Sequence, residues 1–88
     1  MNYQKMYHFN ELFGLDLRRR TNKREYVWAR YAVMYHLRKS LKPHTIQNLF
    51  LMSYDGVYRG IKEFERALSV GDELAVGLND RLSQFKTI

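Results

Sequence analysis

The sequence predicts an all-α fold, a single domain of about five helices over residues 1–88, and three observations predict it. Apolar residues recur at steps of three and four through most of the chain, and no stretch sustains the alternation of a half-buried strand. Pro occurs once and Gly five times, so few positions oppose helix. Hydrophobic residues make up 45% and charged residues 27%, a balance that suits a packed core rather than disorder.

The first helix is expected over Tyr3 to Phe13, with Met6, Phe9, Leu12 and Phe13 on one side and Gly14 as its stop. A basic loop, Leu15 to Thr21, follows. The second helix runs from about Lys23 to Leu41. Asn22 can cap it, with Glu25 at the capping-box spacing. Val27, Tyr31, Met34, Leu37 and Leu41 fall at helical spacing, and Trp28, Ala32 and Tyr35 widen the apolar face. A helix apolar around so much of its girth belongs at the centre of a fold.

Pro43 interrupts that helix, because the residue before a proline resists the α region. A short third helix covers about Thr45 to Phe50, with Ile46, Leu49 and Phe50 inward. Either Pro43 as a first-turn residue or Thr45 as a cap would start it. Ser53 then caps a fourth helix, Tyr54 to Leu68. Its inward stripe is Val57, Ile61, Phe64 and Leu68. Asp55, Arg59, Lys62 and Arg66 keep the same steps on the opposite, mostly cationic side. A fifth helix, about Asp72 to Phe85, turns Leu74, Leu78, Leu82 and Phe85 inward and carries Asp72 and Glu73 at its positive end.

Charge is distributed unevenly. The whole chain carries a formal +6, but residues 1–44 hold ten basic and three acidic groups, a net +7. Five of those cations lie between Arg18 and Arg24 with no anion among them. Such a cluster repels itself and is relieved by a polyanion. The absence of cysteine excludes disulfides, thiolate zinc sites and thiol catalysis. No run of about 18 apolar residues is present for a spanning helix, and the first residues lack the apolar core of a signal peptide. The expectation is a cytoplasmic protein that does not enter a membrane.

A short helix, a three-residue turn and a longer helix with a cationic outer face read as a helix-turn-helix. Ser53, Tyr54, Asp55, Tyr58, Arg59 and Lys62 would then face base edges and flanking phosphates. The competing reading is an ordinary helical hairpin with a solvated face, and the usual turn glycine is absent. The Arg18-Arg19-Arg20 run adds a separate signal, since arginines ahead of a helix enter minor grooves or straddle phosphates as arms do. A solvated charge run is the alternative there. Gly56 and Gly60 make a flat stripe suited to close packing, on the third helix or a second copy, or else to backbone contact with DNA.

These residues resemble a known family. Thr21-Asn22-Lys23-Arg24-Glu25-Tyr26-Val27-Trp28-Ala29-Arg30, then Met34-Tyr35 and Arg38, are similar to the long helix of the C-terminal DNA-binding domain of the bacterial replication initiator DnaA. Thr45 to Phe50 resembles the first element of its helix-turn-helix, and Ser53 to Ile61 falls where its recognition helix begins. Phe13 to Arg20 is similar to its first short helix plus basic loop, and Glu73 to Gln84 to its trailing helix. The likeness covers about residues 9–85 and implies a Trp-repressor-like fold that binds duplex DNA. It implies backbone or minor-groove contacts for Arg18, Arg19, Arg20, Lys23 and Arg24, and phosphate contacts for Arg30 and Lys42. The family's recognition helix opens Asp-His-Thr-Thr or Asp-His-Ser-Thr, whereas this chain has Ser53-Tyr54-Asp55-Gly56. The side chains that would read bases are therefore different ones. No Gly-rich Lys-Ser/Thr loop for a nucleotide occurs.

No catalytic constellation, cofactor motif or metal-ligand spacing is visible. His8, His36 and His44 do not gather on one helical face, and each reads as a surface or packing residue. Two functional readings result. The first is a stand-alone duplex-DNA-binding protein tied to replication initiation or its regulation. The second is a small accessory or inhibitory factor of a phage or mobile element that reuses the fold to bind a protein. A homodimer through the last helix or the glycine stripe is left open.

Overall fold

The computed structural model describes the backbone of residues 2–19 and 21–84, with side chains from His8 onward. Arg20, Phe85 and the side chain of Met6 lie outside the described residues. The chain forms α1 (Asn2–Phe13), α2 (Arg24–Leu37), α3 (Pro43–Phe50), α4 (Tyr54–Ser69) and α5 (Glu73–Gln84). The fold is all-α, with no strand among the described residues.

Helix α2 is the axis against which α3, α4 and α5 pack. Its Ala29, Ala32, Val33, Met34 and Leu37 are buried, and Trp28, Tyr31 and Tyr35 close the core partly exposed. Phe64 of α4 lies fully buried against the rings of Trp28 and Tyr35, with centroids 6.2 and 5.3 Å away. Burying a large ring here supplies about 2–3 kcal/mol of transfer free energy. Close approach of α2 and α4 depends on Gly60. A Cβ at that position would stand 2.7 Å from Cδ1 of Tyr31. Gly60 therefore packs on α2, not on the third helix. Gly56 is the softer of the two, since its Cβ would meet mainly the mobile tip of Met52.

Local chemistry sets the ends of α3 and α4. Pro43 is a first-turn residue of α3, where its missing N–H costs nothing. The Ser53 hydroxyl accepts from the Gly56 N–H at 3.1 Å and caps α4. Between them Leu51 adopts the left-handed conformation, φ 56° and ψ 45°, and its N–H closes onto the Gln47 carbonyl. The left-handed position of the turn is thus held by a leucine where glycine would fit without strain.

Three expectations change. Helix α2 ends at Leu37 rather than Leu41, because Ser40 N and Leu41 N both turn back onto the Leu37 carbonyl. The Arg38 guanidinium folds over the Tyr35 ring at 3.8 Å and donates to the Tyr35 carbonyl, which holds that corner. The capping box of Asn22 and Glu25 does not form. Lys23 is the N-cap with no side-chain hydrogen bond, and its own N–H goes to the Thr21 hydroxyl. In α5 the inward stripe is Ala75, Leu78 and Leu82, and Leu74 is exposed. Asp72 caps that helix through the Ala75 N–H, and the small Ala75 lets it lie close to the core.

Candidate functional site

The basic loop is a built turn. The side chain of Leu17 is fully buried, and its N–H donates to the Asn10 carboxamide at 3.0 Å. Asp16 accepts from Arg18 N and Arg19 N, which tightens the bend. Arg30, in the second turn of α2, sends NH1 to the Arg19 carbonyl at 2.8 Å and NH2 to the Thr21 carbonyl at 3.0 Å. Arg18 reaches across the fold, and its Nε donates to the Leu49 carbonyl at 2.6 Å. That carbonyl belongs to the last turn of α3, where intrahelical partners run out.

These contacts divide the cations of the first half-chain. Arg18 and Arg30 are half-buried and bound to backbone carbonyls, so they shape the loop. Arg19, Lys23, Arg24 and Lys42 are exposed. The free-arm picture does not hold for the described part of the loop, because four side chains anchor it to α1, α2 and α3.

An open cleft of about 330 Å³ lies between the loop, α2 and the turn into α4. Arg18, Thr21, Asn22, Arg30, Phe50 and Met52 line it. Two arginines and, among the described residues, no Asp or Glu line this space, so it favours an anionic group. Met52 also packs beside Gly56, in the first turn of α4. The cleft, the basic loop and the start of α4 therefore share one edge of the molecule.

Helix α4 presents Tyr54, Asp55, Tyr58, Arg59 and Lys62 to solvent, preceded by exposed Ser53. It buries only Val57, Gly60, Phe64 and Ala67. The rings of Tyr54 and Tyr58 lie nearly parallel, 17° apart with centroids at 6.3 Å, and each is more than half exposed. Lys62 sits 5.6 Å from the Tyr58 ring and pairs with Glu65 at 3.6 Å. Tyrosine is among the residue types enriched at protein interfaces relative to the rest of the surface.

Thr21, Asn22 and Met52 were not among the candidate residues, and neither was Leu51. Their contribution arises from the way the loop folds against the turn, which no spacing in the chain encodes. For Leu51 one signal existed, the missing turn glycine. Among the described residues no group of His, Asp or Glu is placed to hold a metal. None of the described helices is long and apolar enough to cross a membrane.

No family model, curated protein or solved structure matches this chain.

Proposed function

We propose that this chain binds duplex DNA as a stand-alone protein. Helix α4 enters the major groove, α3 braces across it as the first element of a helix-turn-helix, and the basic loop lies on the neighbouring minor groove and phosphates. The observation that carries the reading is the bond from Arg18 Nε to the Leu49 carbonyl. It fixes the most cationic segment beside the turn that launches α4, so both can meet one duplex.

The side chains then fall into three roles. Arg19, Lys23, Arg24 and Lys42 are exposed and neutralise phosphates. Arg20 extends the same run in sequence. Tyr54, Asp55, Tyr58, Arg59 and Lys62 face base edges and flanking sugar-phosphate, where Arg59 is a donor to guanine and Asp55 an acceptor from cytosine. Arg18 and Arg30 set the shape of the loop. The resemblance to the replication initiator's C-terminal domain supplies the setting, replication initiation or its regulation. The substituted opening of α4 supplies a different base preference.

A titration on random-sequence duplex across a range of salt tests the proposal. Neutralising about five phosphates gives a slope of log K against log salt near −4 to −5. Replacing Arg19, Lys23 and Arg24 together by Ala should flatten that slope by roughly 3 and weaken binding to every sequence alike. Tyr58→Ala or Arg59→Ala should instead change the preference between sequences. Affinity indifferent to salt would rule the proposal out.

A further inference from the structure

A second recess lies against α4. It is a slot of about 90 Å³ between that helix and the corner joining α2 to α3. Leu41, Ile46, Val57 and Ile61 form its apolar lining. Tyr54, Tyr58 and Arg38 also line it, and Tyr and Arg are the types that dominate protein-binding hot spots. We infer that this slot receives one large apolar side chain from an acidic segment of a partner protein.

Shape and charge together select the occupant. An apolar recess this small matches a single aliphatic or aromatic side chain. A phosphate placed there would lose its water for hydrocarbon, which is strongly unfavourable. The surroundings of the slot are cationic. Arg38 lines it, Lys42 precedes the lining residue Pro43 in the chain, and Lys62 stands beside Tyr58. The positive end of α3 begins at the same corner. The nearby carboxylates are Asp55, next to Tyr54 in the chain, and Glu65, which is paired with Lys62. Cations outnumber them, so acidic residues flanking the anchor are attracted and basic ones repelled.

Tyr54, Tyr58, Lys62 and Lys42 belong both to this surface and to the proposed DNA-binding surface. A seated partner therefore displaces DNA from α4. That competition rests on the duplex-binding reading, whereas occupation of the slot does not.

Selection of displayed short random peptides on the immobilised full chain tests the inference. The enriched peptides should share one Leu, Phe or Trp flanked by Asp or Glu. A synthetic copy should bind Tyr58→Ala and Lys42→Glu about tenfold or more weakly than wild type. Both substitutions are at exposed positions, and circular dichroism checks that each variant is folded. No enrichment, enrichment without that pattern, or affinity unmoved by both substitutions would overturn the inference. So would a failure to enrich peptides combined with Tyr58-dependent binding of oligo-dT, which would assign the tyrosines to unpaired bases instead. Adding the peptide to the duplex titration separates the two proposals. Peptide bound without any duplex affinity would sink the DNA reading alone, and duplex bound without any selected peptide would sink the slot alone.

Discussion

Gly60 of α4 and Tyr31 of α2 are in van der Waals contact, and the tyrosine ring occupies the space a methyl group on Gly60 would need. Gly60→Ala gains about 1 kcal/mol of helix propensity. It also drives a Cβ to 2.7 Å from Tyr31 Cδ1 and 3.2 Å from Met34 Cε. Overpacking of that kind costs about 1–3 kcal/mol. Because backbone and ring must separate, the expected result is net destabilisation, read as a lower urea midpoint. In a Tyr31→Ala background the same change should be neutral or stabilising, and the double-mutant cycle reports the difference. Gly56→Ala, against the flexible end of Met52, should be tolerated.

Leu51 occupies a left-handed conformation with 55% of its surface exposed. Its side chain therefore contributes little burial, while its backbone is strained. Leu51→Gly should raise stability by about 1 kcal/mol. Thermal unfolding checks this, and a lowered Tm would show that the side chain supports the turn more than its exposure suggests.

Arg30 joins α2 to the loop through two nitrogens on two carbonyls. A lysine offers one ammonium and cannot span both acceptors. Arg30→Lys keeps the charge and should still cost about 1–2 kcal/mol. Amide hydrogen exchange should quicken selectively in the loop around Arg18 to Lys23. Unchanged protection there would show that Leu17 and Arg18 suffice to hold the loop.

His36 packs edge-on against Phe9, with centroids 6.0 Å apart. Burial, and secondarily the Lys39 charge, lower its pKa from the ordinary 6.5. The unfolded chain therefore binds this proton more readily than the folded one. Stability contributed here is complete above pH 6.5 and falls as pH drops from 6.5 toward the lowered folded value. His36→Gln should remove this part of the pH dependence, seen as a flatter plot of urea midpoint against pH than wild type across that window.

Much of the fold was legible because its determinants are local. The steps of three and four placed five helices, and Ser53 announced the cap of α4 because a hydroxyl before a helical run needs only its own next turn. The start of α3 stayed open between Pro43 as a first-turn residue and Thr45 as a cap, since both suit a helix N-terminus, and the structure begins the helix at Pro43. The errors came where side-chain contacts and packing, not periodicity, decided. The end of α2 moved to Leu37 as Arg38 found the Tyr35 ring and carbonyl. The start of α2 lost its Asn22 cap where Arg30 holds the Arg19 and Thr21 carbonyls of the incoming loop. Leu74 yielded its inward place to Ala75, because hydrophobicity alone ranks leucine higher while close packing admits the smaller residue.

By itself the amino-acid order determined the helical class, the concentration of positive charge before α2 and the polar outer face of α4. Each depends on composition and short-range periodicity, which the chain carries whatever its partners. Only the tertiary structure decided which arginines shape the loop and which face solvent, because neighbouring arginines are chemically identical until a carbonyl such as that of Leu49 comes within reach of one of them. It also decided that Tyr54 and Tyr58 wall an apolar slot, since half of that slot comes from the α2–α3 corner.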